Sequence, residues 1–138
     1  MAQYRPGTCL SLFLATSFIA LGCGTSRQLQ SVNLSPATAD AQNFPNNEVQ
    51  FSATGMFSKP PSPQLLSSQD VFWCVGSSTG TCVGFINPGA TIDQNGLAKC
   101  VLGFAGTSTI LAGKATPAMN PDTGAQMTVF GAAQLTCP

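Results

Sequence analysis

Val49, Phe51 and Ala53 alternate with Gln50, Ser52 and Thr54, and this period of two governs the chain. Successive side chains of an extended strand point to opposite faces, so such alternation describes a strand with one dry and one wet face. "LQSVNL" repeats the pattern with Val32 and Leu34, and Pro36 then ends the strand or bends it at an edge. In "VFWCV", Val71, Trp73 and Val75 share one face and Phe72 and Cys74 the other. "ATID", "LAKCVL", "TSTILAGKA" and "MTVFGAAQLTC" supply the remaining segments. Between them lie stretches rich in Gly, Pro, Ser and Asn: "ATADAQNFPNN", "FSKPPSPQLLSSQ", "GSSTGTCVGFINPG" and "TPAMNPDTG". The prolines of "KPPSP" make a stiff loop. No segment carries an amphipathic helical stripe. The expected fold is all-β, a sandwich or small barrel of about seven strands.

The first 22 residues read differently. Arg5 stands in a short polar start, and the apolar run "CLSLFLATSFIALG" follows. It is short for a membrane span and suits the apolar region of an export signal. The run ends in "ALGC" at Cys23, which resembles the lipobox of bacterial lipoproteins. That resemblance implies cleavage ahead of Cys23 and a diacylglycerol on its sulfur, so the expected partner is a membrane, reached through a lipid anchor. Residues 23–30 would be the lipidated cysteine and a short tether, and 31–138 the sandwich. Gly24 is no acidic retention signal, which favours the outer membrane or cell surface by analogy. Conventional cleavage near "ALGCG" and a retained anchor helix stay open as alternatives.

Charge excludes several functions. Charged residues make up 7% of the chain, against roughly 25% in typical soluble domains. With so few cations there is no basic patch for phosphate backbones, and nucleic acid is not an expected partner. The chain has no His, which removes Ser-His-Asp and Cys-His catalysis and His-ligated zinc. "GSSTG" at 76–80 matches the nucleophile-elbow pattern formally, but a serine there would have no base and no helix behind it. Asp40, Glu48, Asp70, Asp93 and Asp122 are scattered; a carboxylate hydrolase would need two of them to converge. "DQNG" at 93–96 opens like a calcium loop, yet the following residues supply no carboxylate. Asp93, Asn95 and Gly96 read instead as a hairpin turn. No cofactor or metal site is expected.

Four cysteines remain beyond Cys23: Cys74, Cys82, Cys100 and Cys137. An even number in a small exported domain reads as disulfides, and four cysteines allow three pairings. A Gly- and Ser-rich stretch of seven residues between Cys74 and Cys82 closes easily, which favours Cys74–Cys82 with Cys100–Cys137. Trp73, the chain's one Trp, is expected in the core, as a lone Trp on the central strand of such a sandwich more often is, rather than as a platform for sugars.

Five short motifs occur in order: "VNLSP" at 32–36, "QFSATG" at 50–55, "VFW" at 71–73, "DQNGL" at 93–97 and "GTSTI" at 106–110. Together they resemble the bacterial Ig-like domain, group 2, over nearly all of the exported part. The resemblance implies an immunoglobulin-like β-sandwich on a bacterial surface protein, acting in adhesion or as a structural spacer, with a surface protein or glycan as partner. It carries over no catalytic residues, and no enzyme is expected. Its contact surface would be the loops 58–70, 76–90 and 115–126. The alternatives are a small envelope hydrolase using paired carboxylates and a strand-pairing subunit of a surface assembly.

Overall fold

The computed structural model describes residues 26–82, 89–115 and 124–138. The export signal read at 1–22, Cys23 and Asp122 lie outside the described residues. Within them the chain forms β1 (Leu29–Ser35), β2 (Thr38–Asp40), β3 (Glu48–Gln50), β4 (Ser52–Phe57), β5 (Gln64–Leu65), β6 (Phe72–Gly76), β7 (Ala90–Ile92), β8 (Leu97–Cys100), β9 (Gly106–Ala115) and β10 (Met127–Cys137). The fold is an all-β sandwich, but it has ten strands rather than about seven. The additions are β2, inside a segment read as loop, β5, inside the proline-rich loop, and the division of residues 48–57 into β3 and β4 at Phe51. Two 3-10 turns, Ala41–Asn43 and Pro45–Asn47, fill the rest of the first loop.

One layer is β2-β10-β9-β6. The other is built on the continuous segment 48–57: β4 pairs with β1 and β5, and β3 pairs with β8, which pairs with β7. The Phe51 N–H donates to the Gly96 carbonyl at 2.8 Å, and the Ala53 carbonyl accepts from Leu66 at 2.8 Å. Backbone groups two residues apart in a strand face the same edge, so β8 and β5 lie along one edge of this segment and β1 along the other.

Pro36 marks where the chain changes layer. It has no N–H to continue a ladder, and the chain leaves β1 in one sheet to run parallel to β10 in the other as β2. Just before that crossing β1 presses on β10 so closely that a Cβ on Gly131 would lie 2.4 Å from the Val32 carbonyl oxygen. Only glycine fits there.

The main core lies between the layers, with Phe51, Ile110, Leu135 and Val49 all at most 1% exposed. Burying each side chain of this size is worth about 1.5–3 kcal/mol. A second, smaller cluster covers the outer face of the β6-β9-β10 layer: Cys74, Cys82, Leu111, Ala125 and Met127, with Phe72 and Phe130 against it. Strand β9 is therefore dry on both faces, Ile110 and Ala112 inward and Leu111 outward. That accounts for its apolar run "ILAG", which departs from simple alternation.

Candidate functional site

The sandwich has two unlike ends. At the first, Leu29 at the start of β1 pairs with Phe57 at the end of β4, and Lys114 near the end of β9 lines the same groove. This groove, of roughly 460 Å³, is also bordered by Arg27, Leu66 and Asp70. Arg27 is its most connected side chain. The guanidinium sits 3.5 Å from the Phe57 ring centroid. It also donates to the Lys59 carbonyl at 3.1 Å, to Gln64 Oε1 at 2.7 Å and to the Pro61 carbonyl. The proline-rich loop thus presents carbonyl oxygens to a fixed, planar set of donors. Gln28 joins it: its N–H donates to Ser58 Oγ at 3.0 Å, and its carbonyl accepts from the Ser58 N–H at 2.9 Å. The chain is docked from Arg27 onward. Sequence reasoning missed Arg27; the available signal was an Arg within the stretch 23–30 read as tether, in a chain this poor in charge.

Asp70 borders the same end. The Ser67 hydroxyl (2.7 Å) and N–H (2.8 Å) both donate to its carboxylate. They hold its pKa below the ordinary 3.8, hydroxyl first, with attraction from Arg27 added. This carboxylate closes a turn.

At the opposite end, Glu48 pairs with Lys99 across β3 and β8, so the 3-10 segment before Glu48 and the turn after Cys100 are neighbours. Lys99 Nζ meets Glu48 Oε1 at 2.5 Å. Cys137 ends β10 at this same end, opposite Gly106. Three apolar side chains are exposed on these turns: Leu102 fully, Val101 at 39% and Phe44 at 37%. The turn itself is closed by the Phe104 N–H donating to the Val101 carbonyl at 3.0 Å.

The residues singled out in the sequence fall into structural positions. Cys74 and Cys82 are bonded, as are Cys100 and Cys137, each pair with Cα atoms 5.7 Å apart. The first pins residues 77–82 over the outer face of one sheet. The second joins β8 in one layer to β10 in the other. Trp73 is 5% exposed, within the main core. Asp93, Asn95 and Gly96 form the turn between β7 and β8: Asp93 Oδ1 accepts from the N–H groups of Asn95 and Leu97, both at 2.9 Å. Gly96 has φ +84°, and a Cβ there would lie 2.5 Å from the Phe51 carbonyl oxygen. "GSSTG" is a tight turn, the Ser77 N–H donating to the Thr81 carbonyl at 2.8 Å, and strand-like bridges follow it. Of the loops read as contact surface, 58–70 lies at the groove end. Residues 83–88 and 116–123 lie outside the described residues.

The described carboxylates each serve local structure. Asp40 accepts from the Gln42 N–H at 3.0 Å, Glu48 pairs with Lys99, and Asp70 and Asp93 close turns. Leu97 first, then Asn95 and Gly96, hold the Asp93 pKa below 3.8. Because Asp70 and Asp93 titrate lower folded than unfolded, the unfolded chain takes up protons first as pH falls. Their contribution is complete above the ordinary carboxylate range, about 4, and drains away as pH falls through the depressed values. Urea midpoints should therefore fall between pH 5 and pH 3, as order-of-magnitude bounds on that window. In the double variant Asp70→Asn/Asp93→Asn they should fall less steeply. Both groups are exposed, so the slope will be shallow. No protein-family model and no curated protein matches this chain, so the two ends themselves carry any functional reading.

Proposed function

We propose that this protein is an exported, lipid-anchored, immunoglobulin-like module that binds a partner at the cell surface and catalyses nothing. Strand order supports the family reading. One layer runs β1, 48–57, β8, β7 and the other β6, β9, β10, β2. This is the ABED and CFG order of Ig-like sandwiches, with a first strand that crosses between sheets and a buried Trp on the third. The inter-sheet bridge joins different strands from the one in antibody domains.

The observation that carries the functional reading is polarity. The chain leaves toward Cys23 at one end of the sandwich, while fully exposed Leu102 stands at the other, on a turn fastened by Cys100–Cys137. A body anchored at one end presents the other, and the most exposed apolar side chain among the described residues, Leu102, stands there. Trp73 is buried and so offers no indole to a sugar, and the aliphatic Leu102 and Val101 at the far end favour a protein partner with an apolar pocket.

Thermal-shift screening of the purified protein against envelope glycans and neighbouring surface proteins tests this. A protein that stabilises the chain should bind Leu102→Ser on the order of tenfold more weakly, as for a central apolar contact. Stabilisation by a glycan that is indifferent to Leu102, or turnover of any ligand, would overturn it.

A further inference from the structure

We infer that the Arg27 end of the sandwich is a membrane-docking face, its lysines seated on the phosphates of anionic lipid headgroups. This rests on the reading of Cys23 as the lipid anchor and deepens it. The described residues hold four cations, Arg27, Lys59, Lys99 and Lys114. Three of them gather at the end where the chain departs toward Cys23: Lys114 and Arg27 line one groove, and the Lys59 carbonyl accepts from Arg27. Among the described residues, Asp70 is the acid that borders the same groove. Lys99 is the exception, at the opposite end against Glu48. Three of the four described cations therefore belong to one end of the sandwich.

Reach makes that face meet the membrane. Four residue steps separate Cys23 from docked Arg27, a span of at most about 14 Å. Screening acts over roughly 8 Å at physiological ionic strength, so a slight approach brings the lysines into the headgroup field. Arg27 is committed to Phe57, Lys59, Pro61 and Gln64. It fastens the chain to the sandwich from residue 27 onward, which shortens the link between Cys23 and the domain. Lys59 and Lys114 are both exposed, and they make the contact with the headgroups. Leu65, 67% exposed, and Met56, 37% exposed, sit on β5 and β4 at this end. Apolar side chains beside lysines suit the boundary between headgroups and acyl chains.

The test uses the full protein recovered from membranes and reconstituted into vesicles, neutral phosphatidylcholine or rich in phosphatidylglycerol. Flotation reports the anchor. Acetylation by a membrane-impermeant reagent, read by mass spectrometry, reports each lysine, with Lys99 as internal reference. Lys59 and Lys114 should label about fivefold more slowly relative to Lys99 on anionic vesicles, and raised salt should abolish the difference. Lys114→Gln should melt like the parent and lose part of the protection at Lys59. Protein that floats but labels alike on both vesicles overturns the docking face and leaves the anchor standing. Protein that does not float overturns the anchor, and the docking face with it.

Discussion

Trp73→Ala should destabilise the domain by about 3–5 kcal/mol, the range for deleting a large aromatic from a packed core. The ring is 5% exposed among the main core residues. Its Cζ2 lies 3.0 Å from where a Cβ on Gly96 would stand, so the turn at 93–96 closes directly over it. Removing the indole therefore leaves a void beneath that turn as well as between the layers, and neither backbone can collapse far to fill it. Trp73→Phe keeps a ring and should lose clearly less. Urea unfolding followed by far-UV circular dichroism is the measurement, since the substitution removes the chain's one Trp. A loss below ~1 kcal/mol would show that the ring is not a core element.

Breaking Cys100–Cys137 by double alanine substitution should cost on the order of 4 kcal/mol, against ~2.6 kcal/mol for Cys74–Cys82. The difference follows from sequence separation, 37 residues against 8, because a longer loop leaves the unfolded chain more freedom to regain. The structure adds a second reason. Cys100–Cys137 ties the two layers together beside the turn that exposes Leu102, whereas Cys74–Cys82 clips residues 77–82 onto a single sheet. For a domain with a total stability of about 5–15 kcal/mol, losing the first bridge is serious. Equilibrium denaturation of both double variants decides the order, and equal losses would contradict it. On the proposed function, the same Cys100→Ala/Cys137→Ala variant should also weaken binding of a partner at Leu102 even where the domain stays folded.

The strands legible in the sequence were those whose faces differ in wetness. Val32, Leu34, Val49, Phe51 and Ala53 alternate because one side meets the core and the other meets water, and that contrast is written locally. Asp93, Asn95 and Gly96 were legible for a similar reason: a backbone with φ +84° selects glycine whatever surrounds it. Strand β2 was not. Its three residues become a strand only by running parallel to residues 134–136 of β10, and nothing local signals a pairing so far along the chain. Strand β5, two residues against Thr54 and Gly55, is hidden in the same way.

The candidate ends divide along the same line. Residue types alone determined that the chain is β-built, that it lacks the groups for histidine-dependent catalysis, and that its cysteines suit an oxidising compartment. These properties belong to single residues or their near neighbours. Tertiary structure alone decided that Arg27 would fasten the tether to the proline-rich loop 32–37 residues away, that Lys59 and Lys114 would share its end, and that Leu102 would face the other way. Which groups share an end depends on how strands cross between two sheets, and that is set by the packing of the whole chain.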